Sequence, residues 1–385
     1  MNRFIKLIKS ELLDLYVYNA LNIGFALIFI KLFIEKFSMD DYGNYVYLSS
    51  IAIFISILLE FGGEQSSIGI IKTSKNIKTQ LSSIFSLKLV LSVVISVLII
   101  CLFFNSALEM FSYLVVINLF SSLIPIWFAQ VLDKTRPYVL THFFYILAKI
   151  VVLLFYNNIS YVLLFQIYAF LSIIYACLLF TLYSDGISIT RPMKKHSIKL
   201  LSFSGISISN YIFSISTIIG VKLIFGNSVL GLYNLYDKGI KMISIVLTPV
   251  ISTKSALFIK TGKLYLPNIK IILIFILGLF MISIVYEYLY INMFMNIKTH
   301  NFGQLIIFIT VILSILNQYY LRFNLLKDNK ISFVTLVFIF SAFINLFTLY
   351  LINSLNISTV YFLPFPELLI FISLGTYKVF LKNRC

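Results

Sequence analysis

Charge is what this chain has least of. Asp, Glu, Lys and Arg supply 11% of its 385 residues, against 60% from apolar residues, and the mean hydropathy is +1.00. Soluble domains carry about 25% charged residues, so an ordinary soluble protein is excluded. Acids are the scarcer sign, 14 against 30 bases. Cysteine occurs only at Cys101, Cys177 and Cys385, without CxxC spacing, which leaves no disulfide framework and no thiolate metal site. The three histidines, His142, His196 and His300, are scattered, with no HExxH stretch and hence no legible metal or hydrolase site. No GxxxxGK[ST] stretch occurs, because "KTGKL" (260–264) lacks the spacing, so ATP hydrolysis is not implied. No cofactor is implied either.

What the chain does have is long apolar runs. A bilayer-spanning helix takes about 20 such residues. The runs place spans at 12–34, 45–63, 83–104, 108–130, 138–156, 160–184, 203–225, 229–251, 270–290, 302–323, 331–352 and 357–381. Continuous apolarity, without period-2 alternation, selects helices over barrel strands. The expected fold is an all-α membrane protein of about 12 transmembrane helices. The opening "MNRFIKLIKSELLDLY" lacks a short apolar core with a cleavage site and reads as an interfacial helix leading into the first span.

Basic residues set the orientation. With the N-terminus in the cytoplasm, 22 of the 30 basic residues fall on inner segments, and only Lys36 and Lys298 fall on outer loops. Both termini are therefore expected inside. This topogenic pattern explains most of the net charge of +16 without nucleic acid. The longest inner loop, 185–202, lies near the midpoint. It suggests two six-helix bundles around a central cavity, residues 1–184 and 203–385, with 185–202 as a cytoplasmic linker.

An internal repeat supports two halves. "IKLFIEKFSMDDYGNYVY" (30–47) and "VKLIFGNSVLGLYNLY" (221–236) each carry a lysine near the outer end of an odd-numbered span, Lys31 and Lys222. Each then has a short loop and an aromatic-flanked glycine, Gly43 and Gly231. The offset is about 190 residues, the signature of parallel repeats.

Six basic residues lie within spans: Lys31, Lys88, Lys149, Lys222, Lys238 and Lys241. A charge at mid-membrane costs about 2.5–3.5 kcal/mol even on the lenient insertion scale, so such groups should face a cavity. Lys88 is near an inner end and is expected to snorkel. Lys31 and Lys222, near outer ends, either snorkel or face the cavity. Lys149 is mid-span. Asp237 and Lys241 share a helix face and can neutralise each other, which leaves Lys238 without a local partner. Among acids, Glu60 and Glu64 flank Gly62 and Gly63, and Glu367 follows "LPFP", whose prolines disturb that helix. The central balance is positive, which favours an anionic substrate.

Several stretches resemble the polysaccharide-biosynthesis flippases. They are Asp41-Tyr42-Gly43 after the first span, Glu60-Phe61-Gly62 ending the second, and Pro125, Trp127 and Gln130 at the turn between the fourth and fifth. The fourth is a Gly-x-x-x-x-Gly-x-Tyr element at Gly226, Gly231 and Tyr233. The chain looks like a Wzx-type O-antigen or repeat-unit flippase of the multidrug/oligosaccharidyl-lipid/polysaccharide exporter superfamily. Family members often carry an acid about nine positions before the first of those glycines; Thr217 stands there in this chain, with Lys222 a candidate for the polar slot.

The resemblance implies a non-enzymatic translocase in the bacterial inner membrane. It would carry undecaprenyl-diphosphate-linked oligosaccharide from the inner to the outer leaflet by alternating access. Lys149, Lys238 and Lys241 are the candidates for holding the diphosphate, with Lys31 and Lys222 gating the outer side. Asp237, Glu367 and Glu60 are the candidates for coupling to H⁺ or Na⁺. The polymerase and chain-length regulator of the same pathway, and membrane lipids, are the other partners implied. Two alternatives remain. A repeat-unit polymerase would need a long outer loop, whereas the longest here is "INMFMNIKTHNF" (291–302). A drug or cation antiporter would want an acidic cavity.

Overall fold

The computed structural model describes residues 2–60, 76–106, 108–155, 160–190, 194–242, 278–295, 303–320, 331–355, 362 and 364–372. Among these about 90% are helical and none forms a strand. The helices are α1 (Asn2–Lys36), α2 (Met39–Leu59), α3 (Ile77–Phe103), α4 (Glu109–Ser121), α5 (Ile126–Val131), α6 (Thr135–Phe155), α7 (Tyr161–Tyr183) and α8 (Lys194–Phe225). They continue as α9 (227–242), α10 (278–294, closing in a π-helical segment at Tyr286–Phe294), α11 (Gly303–Tyr320), α12 (Ile331–Ser354) and α13 (364–372).

Eight helical segments among the described residues are long and apolar enough to cross a membrane. They answer to the first seven expected spans and to 331–352. α9, α10, α11 and α13 lie where the other four were expected, on shorter described stretches. α1 runs unbroken from Asn2 into the first span, consistent with an N-terminal helix leading into it. The expected loop 185–202 is shorter than its charges suggested, because α8 begins at Lys194. Basic residues mark the side of the membrane but do not prevent helix formation. Before α8 the chain is pinned to α3, where the Ser188 and Thr190 amides donate to the Ser82 and Ser86 hydroxyls at 2.9 and 2.8 Å.

By contacts the chain divides into two units, residues 1–37 with 47–211, and residues 38–46 with 212–385. In the first unit α4 packs on α7 and α3, and α6 packs on α1 and α7. The fourth span is broken between α4 and α5. Pro125 has no N–H to give and stands at the N-cap of α5, where none is needed. Two of the carbonyls at the break are answered by side chains. Lys88 Nζ donates to the Ser122 oxygen at 2.6 Å, and the Tyr138 hydroxyl donates to the Ile124 oxygen at 3.1 Å. Lys88 therefore does not snorkel. It is 1% exposed, and its ammonium sits on the carbonyl end of α4, where the helix dipole favours a cation.

In the second unit the two repeat elements meet. Ser38 caps α2: its hydroxyl accepts from the Asp41 amide at 3.0 Å and donates to the Asp41 carboxylate at 2.6 Å. Tyr42 is buried and donates to Asn234 Oδ1 at 2.8 Å. A Cβ on Gly43 would collide with the Asn227 carbonyl, and one on Gly231 would lie 2.7 and 2.9 Å from Met39 Sδ and O. Residues 43 and 231 are 188 apart, and so are 39 and 227. Each glycine thus touches the counterpart of the residue its own counterpart touches, the reciprocity of a two-fold contact. Gly226, at φ +86°, makes the turn between α8 and α9, a backbone region that glycine enters without strain.

Candidate functional site

The first unit holds a cavity of about 340 Å³ beside the broken span. Its wall includes Tyr18, Asn22 and Phe25 from α1, and Glu60 just past α2. Ser121, Ser122, Pro125, Ile126 and Trp127 contribute from the break, and Tyr138, His142, Tyr145, Ile146 and Lys149 from α6. The α6 residues recur at steps of three and four, one face of a helix.

Lys149 is 8% exposed. Its Nζ lies 4.4 Å from the centre of the Tyr145 ring, 5.3 Å from Tyr168 and 5.4 Å from Phe25, within cation–π range of each. Rings attract a cation but do not accept three directed hydrogen bonds. No described residue accepts one from Lys149, and no described carboxylate pairs with it. The ammonium keeps its three donors for whatever fills the cavity. Tyr168 donates to the Lys149 carbonyl at 2.9 Å and so ties α7 to this point of α6.

Of the other expected site residues, only Glu60 lines the same cavity, and its charge attracts the Lys88 ammonium. Phe61, Gly62, Gly63 and Glu64 lie outside the described residues. Lys31 pairs with Glu35 one turn along α1 at 2.9 Å. Lys222 reaches Asn44 Oδ1 at 3.4 Å and does not take the slot at Thr217. Thr217 is buried and accepts from Asn345 Nδ2 of α12 at 3.1 Å.

The α9 charges belong to the second unit. Asp237 and Lys241 form an ion pair at 2.5 Å, the self-neutralising arrangement their spacing allowed. Lys238 is half-buried and makes no hydrogen bond or ion pair among the described residues. Glu367 accepts from Asn317 Nδ2 at 2.6 Å and feels both Asp237 and Lys241 electrostatically. Glu287 escaped the sequence reading. It is 3% exposed, opens the π-helical segment of α10, and accepts from the Tyr236 hydroxyl at 3.4 Å. Its stretch, "YEYLY", reads as an interfacial aromatic cluster near the end of a span, which hides a buried acid.

His142 escaped as well, because "scattered" in sequence says nothing of a helix face. Its ring contacts Asn22 and Tyr175, at 2.9 and 3.1 Å. No cluster of three metal-ligating side chains occurs among the described residues.

No family model matches the chain, and no curated protein matches it in sequence. A solved structure does. Aligned over 98% of this chain and 95% of its own, at a TM-score of 0.65 and 14% identity, it is a transporter from Pyrococcus furiosus Vc1 (DSM3638). The two chains share a fold, and that protein is a MOP superfamily transporter. That protein is described as one whose "reverse polarity of binding pocket suggests different function".

Proposed function

We propose that this chain is a multi-pass membrane transporter for an anionic lipid-linked substrate, and that the substrate is an undecaprenyl-diphosphate-linked oligosaccharide moved from the inner to the outer leaflet of a bacterial plasma membrane. One observation carries the reading: Lys149 is a buried cation that lines a cavity, is ringed by aromatics and has no described acid as its partner. A lysine so placed binds phosphate as a compact charge. The cavity, at about 340 Å³, is at the small end of ligand sites. It suits a diphosphate headgroup, with sugar and lipid lying outside it.

The likeness in fold to a MOP superfamily transporter supports transport, and the flippase-like motifs support the lipid-linked substrate. In this reading residues 1–184 and 203–385 rock about the 185–202 segment, with both termini cytoplasmic. Lys238 and Lys241 meet the substrate on the second half, Lys31 and Lys222 guard the outer side, and Asp237, Glu367 and Glu60 serve ion coupling. A drug or cation antiporter fits less well, since the buried ion without a described acid partner is positive.

Deletion of the gene tests the reading. Lipid-linked units should accumulate on the inner leaflet, wild-type chain should restore export, and Lys149→Ala should insert normally yet fail to restore it. Normal export in the deletion strain, or full rescue by Lys149→Ala, would overturn the proposal.

A further inference from the structure

We infer that His142 is a proton-binding site of the Lys149 cavity, and that it takes up a proton as the anion binds. The inference rests on the anionic-substrate reading of that cavity.

The hydrogen-bond geometry fixes one ring nitrogen and leaves the other free to change. Asn22 donates its Nδ2 to the Tyr18 carbonyl at 3.0 Å, which turns its amide oxygen to His142 Nε2 at 2.9 Å. An amide oxygen only accepts, so Nε2 carries a hydrogen in either protonation state. Nδ1 faces the Tyr175 hydroxyl at 3.1 Å, and a hydroxyl can both give and take. With neutral His142, Tyr175 donates to Nδ1. With protonated His142, Nδ1–H donates to the Tyr175 oxygen, and the tyrosine must send its own hydrogen elsewhere.

Beyond Tyr175 stands Tyr138, which interacts with it and whose hydroxyl donates to the Ile124 carbonyl at 3.1 Å, at the break before Pro125. Nδ1 thus faces a hydroxyl that can serve either protonation state of the ring. A histidine packed for structure alone needs only one of these arrangements.

The surrounding charges supply the coupling. On α6 the histidine shares the cavity face with Tyr138, Tyr145 and Lys149. Tyr18 of α1 lies against it at 4.6 Å between ring centres, Tyr175 faces it from α7, and Glu60 lines the cavity from the end of α2. The wall at the α4–α5 break contributes no ionisable side chain. Among the described residues Lys149 is the one cation lining the cavity besides a protonated His142, and it repels that second positive charge. An anion on Lys149 removes the repulsion, so anion and proton favour each other's binding, reciprocally. The two then load together.

The probe is P1,P2-dimethyl diphosphate, a diester that does not itself titrate near neutrality. It is added to the purified full-length protein in detergent, and calorimetry in buffers of different ionisation enthalpy counts the protons exchanged. Wild type should take up to about one proton per bound probe between roughly pH 5 and 8, the histidine range. His142→Gln and Tyr175→Phe should both lose that uptake. Tyr175→Phe keeps the imidazole and removes only its switchable partner, so it decides the matter if the glutamine variant does not fold. Binding by wild type without proton uptake would overturn the inference and leave the anion site standing. Wild-type uptake retained in either variant would also overturn it. No binding of the probe by wild type would overturn the anion site and the inference with it.

Discussion

Lys149 in the cavity of the first unit and Lys241 on α9 of the second both lie within expected spans, and they are treated in opposite ways. On α9, Lys241 is matched to Asp237 one turn before it, and the helix is packed so tightly at Gly231 that a Cβ would press on Met39. On α6, Lys149 has aromatic neighbours, no described acid partner, and empty space in front of it. A charge neutralised within its own helix is built to hold structure. A charge left open beside a cavity has kept its attraction for something that arrives. Lys88 is a third case, spent on the carbonyl end of α4.

Breaking this contrast should hurt most at Lys149. Lys149→Ala removes a charged hydrogen-bond donor worth about 1.5–3 kcal/mol, so affinity for dimethyl diphosphate should fall about 10- to 100-fold, measured by calorimetry, while thermal unfolding changes little. In the tightly packed region, Gly43→Ala should cost about 1–3 kcal/mol by overpacking, read as a lowered melting temperature in detergent. Gly24→Ala is its control: a Cβ there meets nothing within 4 Å, and helix propensity alone should stabilise by up to about 1 kcal/mol. Lys88→Met leaves the Ser122 carbonyl without its donor and should cost about 1–2 kcal/mol. The smallest effect is expected at the ion pair. Asp237→Asn should shift stability by about 0.3–0.5 kcal/mol, because Lys241 is half exposed and such pairs are weak. A loss of binding in Asp237→Asn as large as that in Lys149→Ala would erase the distinction between the two regions.

Much of the architecture was legible because the bilayer forces it. Continuous apolar runs left helices as the available form, and the first seven expected spans all have helical counterparts. Lys149 stood out for the same reason, as a mid-span cation far from either interface. Legibility failed where three-dimensional neighbours decide. The snorkelling reading of Lys88 weighed its distance to the interface and could not see the carbonyls at the break before Pro125 on a neighbouring span. His142 and Lys149 are seven residues apart, a full two turns, but the sequence showed neither Asn22 nor Tyr175 opposite them. Glu287 was masked by its tyrosines. The glycines of the repeat were found by their aromatic flanks, and only coordinates revealed that each one lies against the other copy's segment.

That mutual seating has an evolutionary consequence. If the two segments descend from one duplicated ancestor, they have not been free to drift apart at these places. A bulkier side chain at position 43 must be answered at 227, and one at 231 must be answered at 39. Grafting 39–43 onto 227–231 should therefore be tolerated better than installing either segment's neighbours from an unrelated helix pair, and the seam would act as a memory of the original homodimer.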